Sequence, residues 1–450
     1  MAVDLEATRI DPGDAKYSNM LNNLQGNILK SHGRNYAFLL FLQFKPGQTA
    51  AAANFIRTFA GQVTSAKDQL NAPPYQQGIV GPRFANFLLS GAGYGYFGFP
   101  KGRMDERFEE GMKAWAEYLQ DEPGKWEKAY QDTIHAMILL ADDDFARLKA
   151  KQKEIALAAQ GVADVRLQPG ITLRRNDMVN EEAVEHFGFV DGVSQPLFLE
   201  KDIKKAEQAG IDQHDPSAPL KLVLVPDPAT QAPDSFGSYL VLRKLEQNVK
   251  AFRAKKRRLV RALGLKGRDQ ERAGAMIMGR FPDGTPLTLA DREAGHTLAN
   301  PPRNDFSYAN DGEATRCPYQ AHVRKMNSRL PAGRPDRDER SHRIARRGIT
   351  YGDKGAKKVG LLFMCFQSDI EQQFEWLQRL VANDRNYFDT GTGLDPLIGQ
   401  GPSAAQNWPV RWDQPNTRPV NIHSLVKVRG GEYFFAPSIP FLKVFPGPAR

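Results

Sequence analysis

The sequence predicts an α+β protein of two domains, each built on a mainly antiparallel sheet with helices packed against it. Three observations carry that expectation. Short apolar runs of strand length alternate with longer amphipathic stretches along the whole chain. The order strand, helix, strand, followed by a further helix and strand, occurs once in each half. The length of 450 residues suits about two or three domains, and the Pro-rich stretch between Asp212 and Asp234 is a natural boundary. The division expected is 1–215 and 216–450.

Each element has its own signal. Tyr36–Phe44 reads YAFLLFLQF, an apolar run expected of a buried strand. Thr49–Leu70 reads as a helix with Ala52, Phe55, Ile56, Phe59 and Val63 on one face. Phe84–Leu89 is a short apolar strand. Gly91, Gly93, Gly95 and Gly98 follow in SGAGYGYFGFP. A dinucleotide fingerprint opens directly into a helix, whereas aromatic residues and Pro100 follow here, so a glycine-rich turn is expected. Trp115 sits in a helical stretch that Pro123 and Gly124 end before Trp126. Thr133–Ala141 is another apolar strand. Asp142, Asp143 and Asp144 then supply an acidic start to a helix that runs to about Gln160 and stops at Gly161. Val165–Leu167 is one more short strand.

In the second half Ser238–Lys244 is a strand. Val249, Phe252, Leu259, Val260 and Leu263 follow at helical spacing with Lys and Arg between them, an amphipathic helix with a basic face. Val359–Phe366 is a strand, Asp369 opens the helix IEQQFEWLQRLV, and Glu432–Ala436 is the last strand.

Composition excludes several classes. With 41% apolar and 25% charged residues the chain is neither largely disordered nor collagen-like. Two cysteines, Cys317 and Cys365, exclude a disulfide-rich scaffold. No apolar run approaches the roughly 18 residues of a membrane span. The first residues, MAVDLEATRIDPGD, show neither a basic nor an apolar signal region, so a cytoplasmic location is expected.

The net charge of +9 is unevenly placed. Arg243–Arg272 holds 12 Lys/Arg against 3 Asp/Glu, and Arg316–Arg347 holds 10 against 3. The rest of the chain is therefore acidic. The first window is the basic helix, which reads as a solvated face; no RNP, zinc-finger or basic-zipper pattern supports nucleic-acid binding. The second is interrupted by Pro318, Pro331, Gly333 and Pro335. Arginine concentrated in irregular backbone points to a site more than to a surface.

Two stretches draw attention on chemical grounds. In HFGFVDGVSQP, Asp191 is an acid in apolar company, which costs free energy unless it is paired or its pKa is raised. That is the setting of a proton-transfer group; an Asx-turn residue before Gly192 fits the residues as well. In CPYQAHVRKMN, His322 starts a helix beside Arg324 and Lys325. A metal-bound imidazole needs one ring nitrogen for the metal and an acceptor for the other, and on these residues alone His322 stays open between ligand and structural histidine. The other histidines form no H-E-x-x-H pair, and the cysteines form no C-x-x-C. Cys365 reads as a small core residue. Cys317 reads as a core or turn thiol, with iron ligation the alternative.

GFVDG, CPYQAHVRK and RIARRGITYG resemble, in that order, the signature of the dye-decolorizing peroxidases. LQGNILKSHGR, LLFMCFQSDIEQQFEWLQ and GEYFFAPSIPFL extend the resemblance over nearly the whole chain. Its form is similar to the larger bacterial members without an export signal. The resemblance implies two ferredoxin-like domains and one haem b per chain, held mainly by the C-terminal domain. It implies a peroxidase that reduces hydrogen peroxide and oxidises dyes, phenols and other aromatic donors, lignin-like compounds among them, by one-electron steps. His322 is then the iron ligand, Asp191 the distal acid–base residue and Arg346 the distal arginine, with Arg347 the neighbouring alternative. Glu371, or else Asp369, orients the proximal histidine. Arg324 is a haem-propionate partner, and Leu361 and Phe363 line the distal pocket.

Trp115, Trp126, Trp376, Trp408 and Trp412 each read first as core or half-core packing. The alternative is that these or Tyr351 pass electrons from bulky reductants, with Trp408 or Trp412, in a Pro-rich loop, the ones that could lie near the surface. A homodimer is plausible, and neither a membrane nor nucleic acid is expected as a partner. A non-catalytic haem-binding protein for storage, sensing or iron release is the competing function. Cys317–Pro318 is too short a motif to favour it.

Overall fold

A computed structural model describes the protein over residues 3–72, 81–175, 182–230, 233–329, 340–353 and 355–446. Pro331, Gly333 and Pro335 lie outside the described residues. The strands are β1 (Tyr36–Phe44), β2 (Phe84–Leu89), β3 (Ala136–Asp142), β4 (Ala163–Ile171), β5 (Val225–Pro226) and β6 (Phe236–Gln247). The second half continues with β7 (Ala345–Arg346), β8 (Ile349–Tyr351), β9 (Gly360–Gln367), β10 (Gln406–Pro409), β11 (Thr417–Val420) and β12 (Val426–Ala436).

The order across the main sheet is β4-β1-β3-β2-β12-β6-β9-β7, with β8 also on β9. In each half the strands stand fourth, first, third, second, all antiparallel. That is the ferredoxin-like order twice over. The two sets meet edge to edge where β2 pairs with β12 through Phe435 and Leu89. Joining them removes one exposed edge from each set.

The predicted elements recur with revised ends. The helix expected over Thr49–Leu70 is two, Thr49–Ala60 and Ala66–Asn71. Ser65 caps the second by accepting from Asp68 N at 3.0 Å. The glycine-rich turn is instead a short helix, Gly91–Tyr96, capped by Ser90. Glycine is needed there for close approach: a Cβ on Gly91 would lie 2.3 Å from Phe108 O, and one on Gly93 would lie 2.0 Å from His135 O. The three aspartates divide their work. Asp144 caps the helix Phe145–Ala158, Asp142 ends β3 and pairs with Arg147, and Asp143 pairs with Arg34.

Sequence periodicity missed β7 and β8, because strands of two and three residues are too short to show a period. The basic helix spans Val249–Leu263, is capped by Asn248 and buries Phe252, Leu259 and Leu263. Lys250, Arg253, Arg257, Arg258 and Arg261 on it are exposed. The helix Ile370–Ala382 starts at Asp369 as expected, but winds with the wider i→i+5 pattern of a π-helix. No helix among the described residues is long and apolar enough to cross a membrane.

Candidate active site

A cavity of about 270 Å³ lies against one face of the second strand set. Successive side chains of a strand point to opposite faces. Alternate residues therefore line it: Arg243, Leu245 and Gln247 of β6, Leu361 and Phe363 of β9, and Val426 and Val428 of β12. Phe374, Leu377 and Gln378 of the helix Ile370–Ala382 close one wall, and the helix His322–Met326 closes another. The segment Phe187–Pro196, which lies between the two strand sets, forms the remaining side.

Asp191 and Arg346 meet on that side. Arg346 Nη1 donates to Asp191 Oδ1 at 3.3 Å. Arg346 is held in turn by Ser194 O, which accepts from Nη2 at 2.9 Å, and by Gln195 Oε1, which accepts from its backbone N at 3.0 Å. Asp191 Oδ1 also accepts from Gly192 N at 2.7 Å, so the turn expected at Asp191 and the cavity-facing acid are one arrangement. Gly192, at φ +79°, supplies the left-handed backbone this turn needs. Both side chains of the ion pair are about one-third exposed, toward the cavity, so it adds little to stability.

Arg347 points elsewhere. Its Nε donates to Asn27 O at 2.6 Å and its Nη2 to Ile28 O at 2.7 Å, tying the N-terminal segment to the second strand set. Of the two, Arg346 lines the cavity and Arg347, just past the end of β7, does not.

His322 lines the same cavity as Asp191, and its Nδ1 lies 2.8 Å from Asp395 Oδ2. Asp395 is fully buried. Burial alone pushes its carboxyl up, but the His322 imidazole and the N–H groups of Ile398 and Leu397 outweigh that and hold it below its usual value. An ionised Asp395 requires the proton of a neutral His322 on Nδ1, which leaves Nε2 with its lone pair. Lys325 secures the pairing: its Nζ donates to Val381 O at 3.0 Å, Asp384 O at 2.6 Å and Gly393 O at 2.8 Å. Those bonds hold the chain leading to Asp395 against the His322 helix. Burial pulls Lys325 down to about 8.

Two expectations are corrected here. Neither Glu371 nor Asp369 touches His322. Asp369 caps its helix by accepting from Gln372 N at 2.8 Å, and Glu371 is half exposed and pairs with Arg107 at 2.7 Å. Asp395 stands in their place. LDPLIG is an acid among apolar residues, so the argument applied to Asp191 would have found it. Arg324 does not line the cavity. Two residues along a helix turn roughly 200°, which sends Arg324 away from the side His322 faces. It donates to Asp311 Oδ2 at 2.9 Å and Asp311 O at 2.7 Å. Among the described residues the Lys and Arg side chains that line the cavity are Arg243, Arg280, Arg343 and Arg346.

Leu361 and Phe363 line the cavity as expected. Trp408 is fully buried, with Nε1 donating to Val420 O at 2.8 Å, so it packs in the core and the surface alternative does not hold for it. Trp126 is buried as well, while Trp115, Trp376 and Trp412 are half-buried. Cys317 is buried outside the cavity lining, and burial pushes its thiol up to about 12, which excludes a ready thiolate ligand.

The donor set fits an iron macrocycle. One imidazole nitrogen alone cannot hold an iron ion, and no group of three or more His, Cys, Asp or Glu among the described residues could hold a metal. The remaining ligands would have to come with the cofactor. The walls are mostly apolar, as a flat hydrophobic ring requires. Arg243, whose Nη2 donates to Asp121 Oδ1 at 2.6 Å, keeps a buried Nη1 without a protein partner on the same lining.

Comparison with known proteins bears on the fold and the family. Residues 23–167 match the family model of the DyP dimeric alpha+beta barrel domain, and residues 183–390 match that of the Dyp-type peroxidase C-terminal domain. The multifunctional dye peroxidase DyP2 of Amycolatopsis sp. is 40% identical, over 98% of this chain and 100% of its own. The crystal structure of a DyP-type peroxidase of Anabaena sp. superposes with a TM-score of 0.92 at 43% identity, covering 98% of this chain and 99% of that one. A dye-decolorizing peroxidase solved in complex with 2,6-dimethoxyphenol has a TM-score of 0.77 at 27% identity, covering 94% of this chain and 99% of its own.

Proposed function

The chain belongs to the dye-decolorizing peroxidase family, and on that premise we propose that Asp191, Arg346 and His322 carry its reaction. It is a haem peroxidase that acts on dyes. A haem store or sensor without catalysis is set aside, because the relative matched over 98% of the chain is a dye peroxidase.

Haem b, when bound, supplies the iron and the electron chemistry of peroxide reduction. His322 would hold it through Nε2, oriented from behind by Asp395. Arg243, Arg280 and Arg343 are the candidate partners for its carboxylates, and Leu361 and Phe363 would supply apolar contact to it. Asp191 carries a proton from one oxygen of hydrogen peroxide to the other, so that the second leaves as water. Arg346 stabilises the negative charge that develops as the O–O bond breaks, with donors already fixed by Ser194 and Gln195. The apolar walls exclude competing water and strengthen both interactions.

Under a division at 1–215 and 216–450, Asp191 comes from one domain and His322 and Arg346 from the other, so the site is complete only when the two are docked. Phenols are included among the reductants, because a related peroxidase binds 2,6-dimethoxyphenol. Assembly as a homodimer and a cytoplasmic location are also proposed, and light scattering and cell fractionation test them.

The observation that carries this reading is one cavity lined by the Asp191–Arg346 pair and by His322, which Asp395 holds through Nδ1. The test is the visible absorption spectrum of the haem-loaded protein before and after peroxide. A Soret band that shifts rapidly on mixing is expected. A Soret band and peroxide response left intact by His322→Ala would overturn the ligand assignment.

A further inference from the structure

Glu185 stands at the base of the loop that carries Asp191, and the reaction described above does not use it. Its Oε2 accepts from Phe187 N at 2.8 Å and its Oε1 from Phe189 N at 3.0 Å. Gln247, the last residue of β6, donates to Oε2 through Nε2. The backbone closes the same turn: Glu185 N donates to Phe189 O at 3.0 Å and Gly188 N to Glu185 O at 2.9 Å. Gly188 sits at φ +96°, so the turn depends on glycine as well. One carboxylate therefore holds a tight turn and ties it to the sheet. Two residues beyond the turn, Asp191 N donates to Ala183 O at 3.1 Å and the side chain reaches Arg346.

We propose that Glu185 is a positioning residue for Asp191, an ionisable clamp whose charged form holds the distal loop in the geometry that brings Asp191 to Arg346. The proposal rests on the peroxidase reading of the site. A carboxylate offers acceptors only, and bonds to a charged acceptor are roughly twice as strong as neutral ones. A proton on either oxygen removes the charge that strengthens all three bonds and turns part of that oxygen to donation, which weakens the bond accepted there and loosens the turn.

Burial raises the Glu185 carboxyl, the N–H groups of Phe187 and Phe189 and the Gln247 amide pull it back, the Asp191 charge raises it again, and it ends at about 7. The clamp thus changes state near neutral pH, above the range of an ordinary carboxyl. Among the described residues the other charged or titratable groups on the cavity are Arg243 from β6, Arg280, His214, Arg343, Arg346 of β7, and His322. β9 and β12 present only apolar side chains, Leu361, Phe363, Val426 and Val428.

The test follows the rate constant for hydrogen peroxide across pH 5 to 9 in haem-loaded protein by stopped flow, at matched haem content. Wild type should lose rate roughly tenfold as pH falls through the neutral range, since small misplacements of a reacting group cost that much or more. Glu185→Gln, which copies the protonated clamp, should stay at the low value throughout and lack that limb. Gln247→Leu removes one donor to the charged form and should move the limb to higher pH. Amide exchange of residues 187–191, independent of haem, should lose protection in Glu185→Gln. A limb that persists in Glu185→Gln, a wild type without one, or unchanged amide protection overturns the clamp. A wild type inert to peroxide overturns the peroxidase reading itself, and the clamp with it.

Discussion

Asp395 accepts from His322 across 73 residues of sequence, at 2.8 Å, and so decides which ring nitrogen of the histidine faces the cavity. The pairing is built from two directions. Lys325 gathers three carbonyls of the incoming chain, and the N–H groups of Leu397 and Ile398 hold the other carboxylate oxygen at 2.8 and 3.0 Å. Asp395 cannot swing away without opening several bonds at once.

Replacing Asp395 by Asn removes the anion but keeps the shape. Outer partners of a metal-bound histidine are worth about 10–100-fold in metal affinity or activity. We expect haem affinity to fall by that order in a haem titration, and the iron reduction potential to rise in a spectroelectrochemical one. Equal affinity and potential in the variant would remove Asp395 from the role.

Arg346 and Arg347 should separate cleanly. Arg346→Leu is expected to slow the reaction with peroxide by about 10²–10³-fold at unchanged haem content, the usual cost of a lost charge-stabilising donor. Arg347→Leu should leave that rate alone and lower the melting temperature, since it opens bonds to Asn27 O and Ile28 O. Stopped flow and thermal melts of the two variants decide it, and reversed roles would show that the wrong arginine was assigned.

Arg324 is predicted to matter for folding and not for the haem carboxylates. It and Asp311 are almost fully buried, and removing one partner of such a pair costs about 3–5 kcal/mol. Arg324→Met should lower stability by that order in urea titrations while the folded fraction keeps its haem affinity. A weakened haem site in an equally stable variant would restore the propionate role.

Glu375 gives the stability a pH slope. Its side chain is fully buried, which raises the carboxyl; the Tyr433 hydroxyl at 2.7 Å and Arg107 pull it back, and it ends at about 7. Between the ordinary carboxyl range and pH 7 the unfolded chain releases this proton and the folded chain keeps it. Stability is therefore fully present at low pH and falls as pH rises toward 7, by about 3 kcal/mol at most from this group. Urea unfolding of wild type and Glu375→Gln at several pH values should show a shallower fall in the variant; parallel curves would exclude the effect.

Trp408 is expected to be silent in electron transfer. It has no exposed surface, and Phe in its place loses the bond to Val420 O. The variant should be less stable by about 1 kcal/mol and oxidise bulky dyes at the wild-type rate. Trp115, stacked on Arg107 with 3.4 Å to the ring centroid, and Trp376, stacked on His342, are the half-buried sites where dye turnover is worth comparing.

The longer elements, the repeated order of strands and helices, and the short motifs around Asp191, His322 and Arg346 are legible in the order of residues alone. Apolar periodicity and local turn chemistry are properties of neighbouring residues, and β1, the basic helix and the Asp369 cap follow from them. Tertiary structure decided whatever depends on distant residues meeting. The join of the two strand sets at Phe435 and Leu89, the choice of Asp395 over Glu371 and Asp369, and the burial of Arg324 on Asp311 all pair segments far apart in the chain. The charge excess of Arg316–Arg347 divides the same way. Composition located it, but only packing sent Arg343 and Arg346 toward the cavity, Arg324 into a buried pair, and Arg347 to the N-terminal backbone.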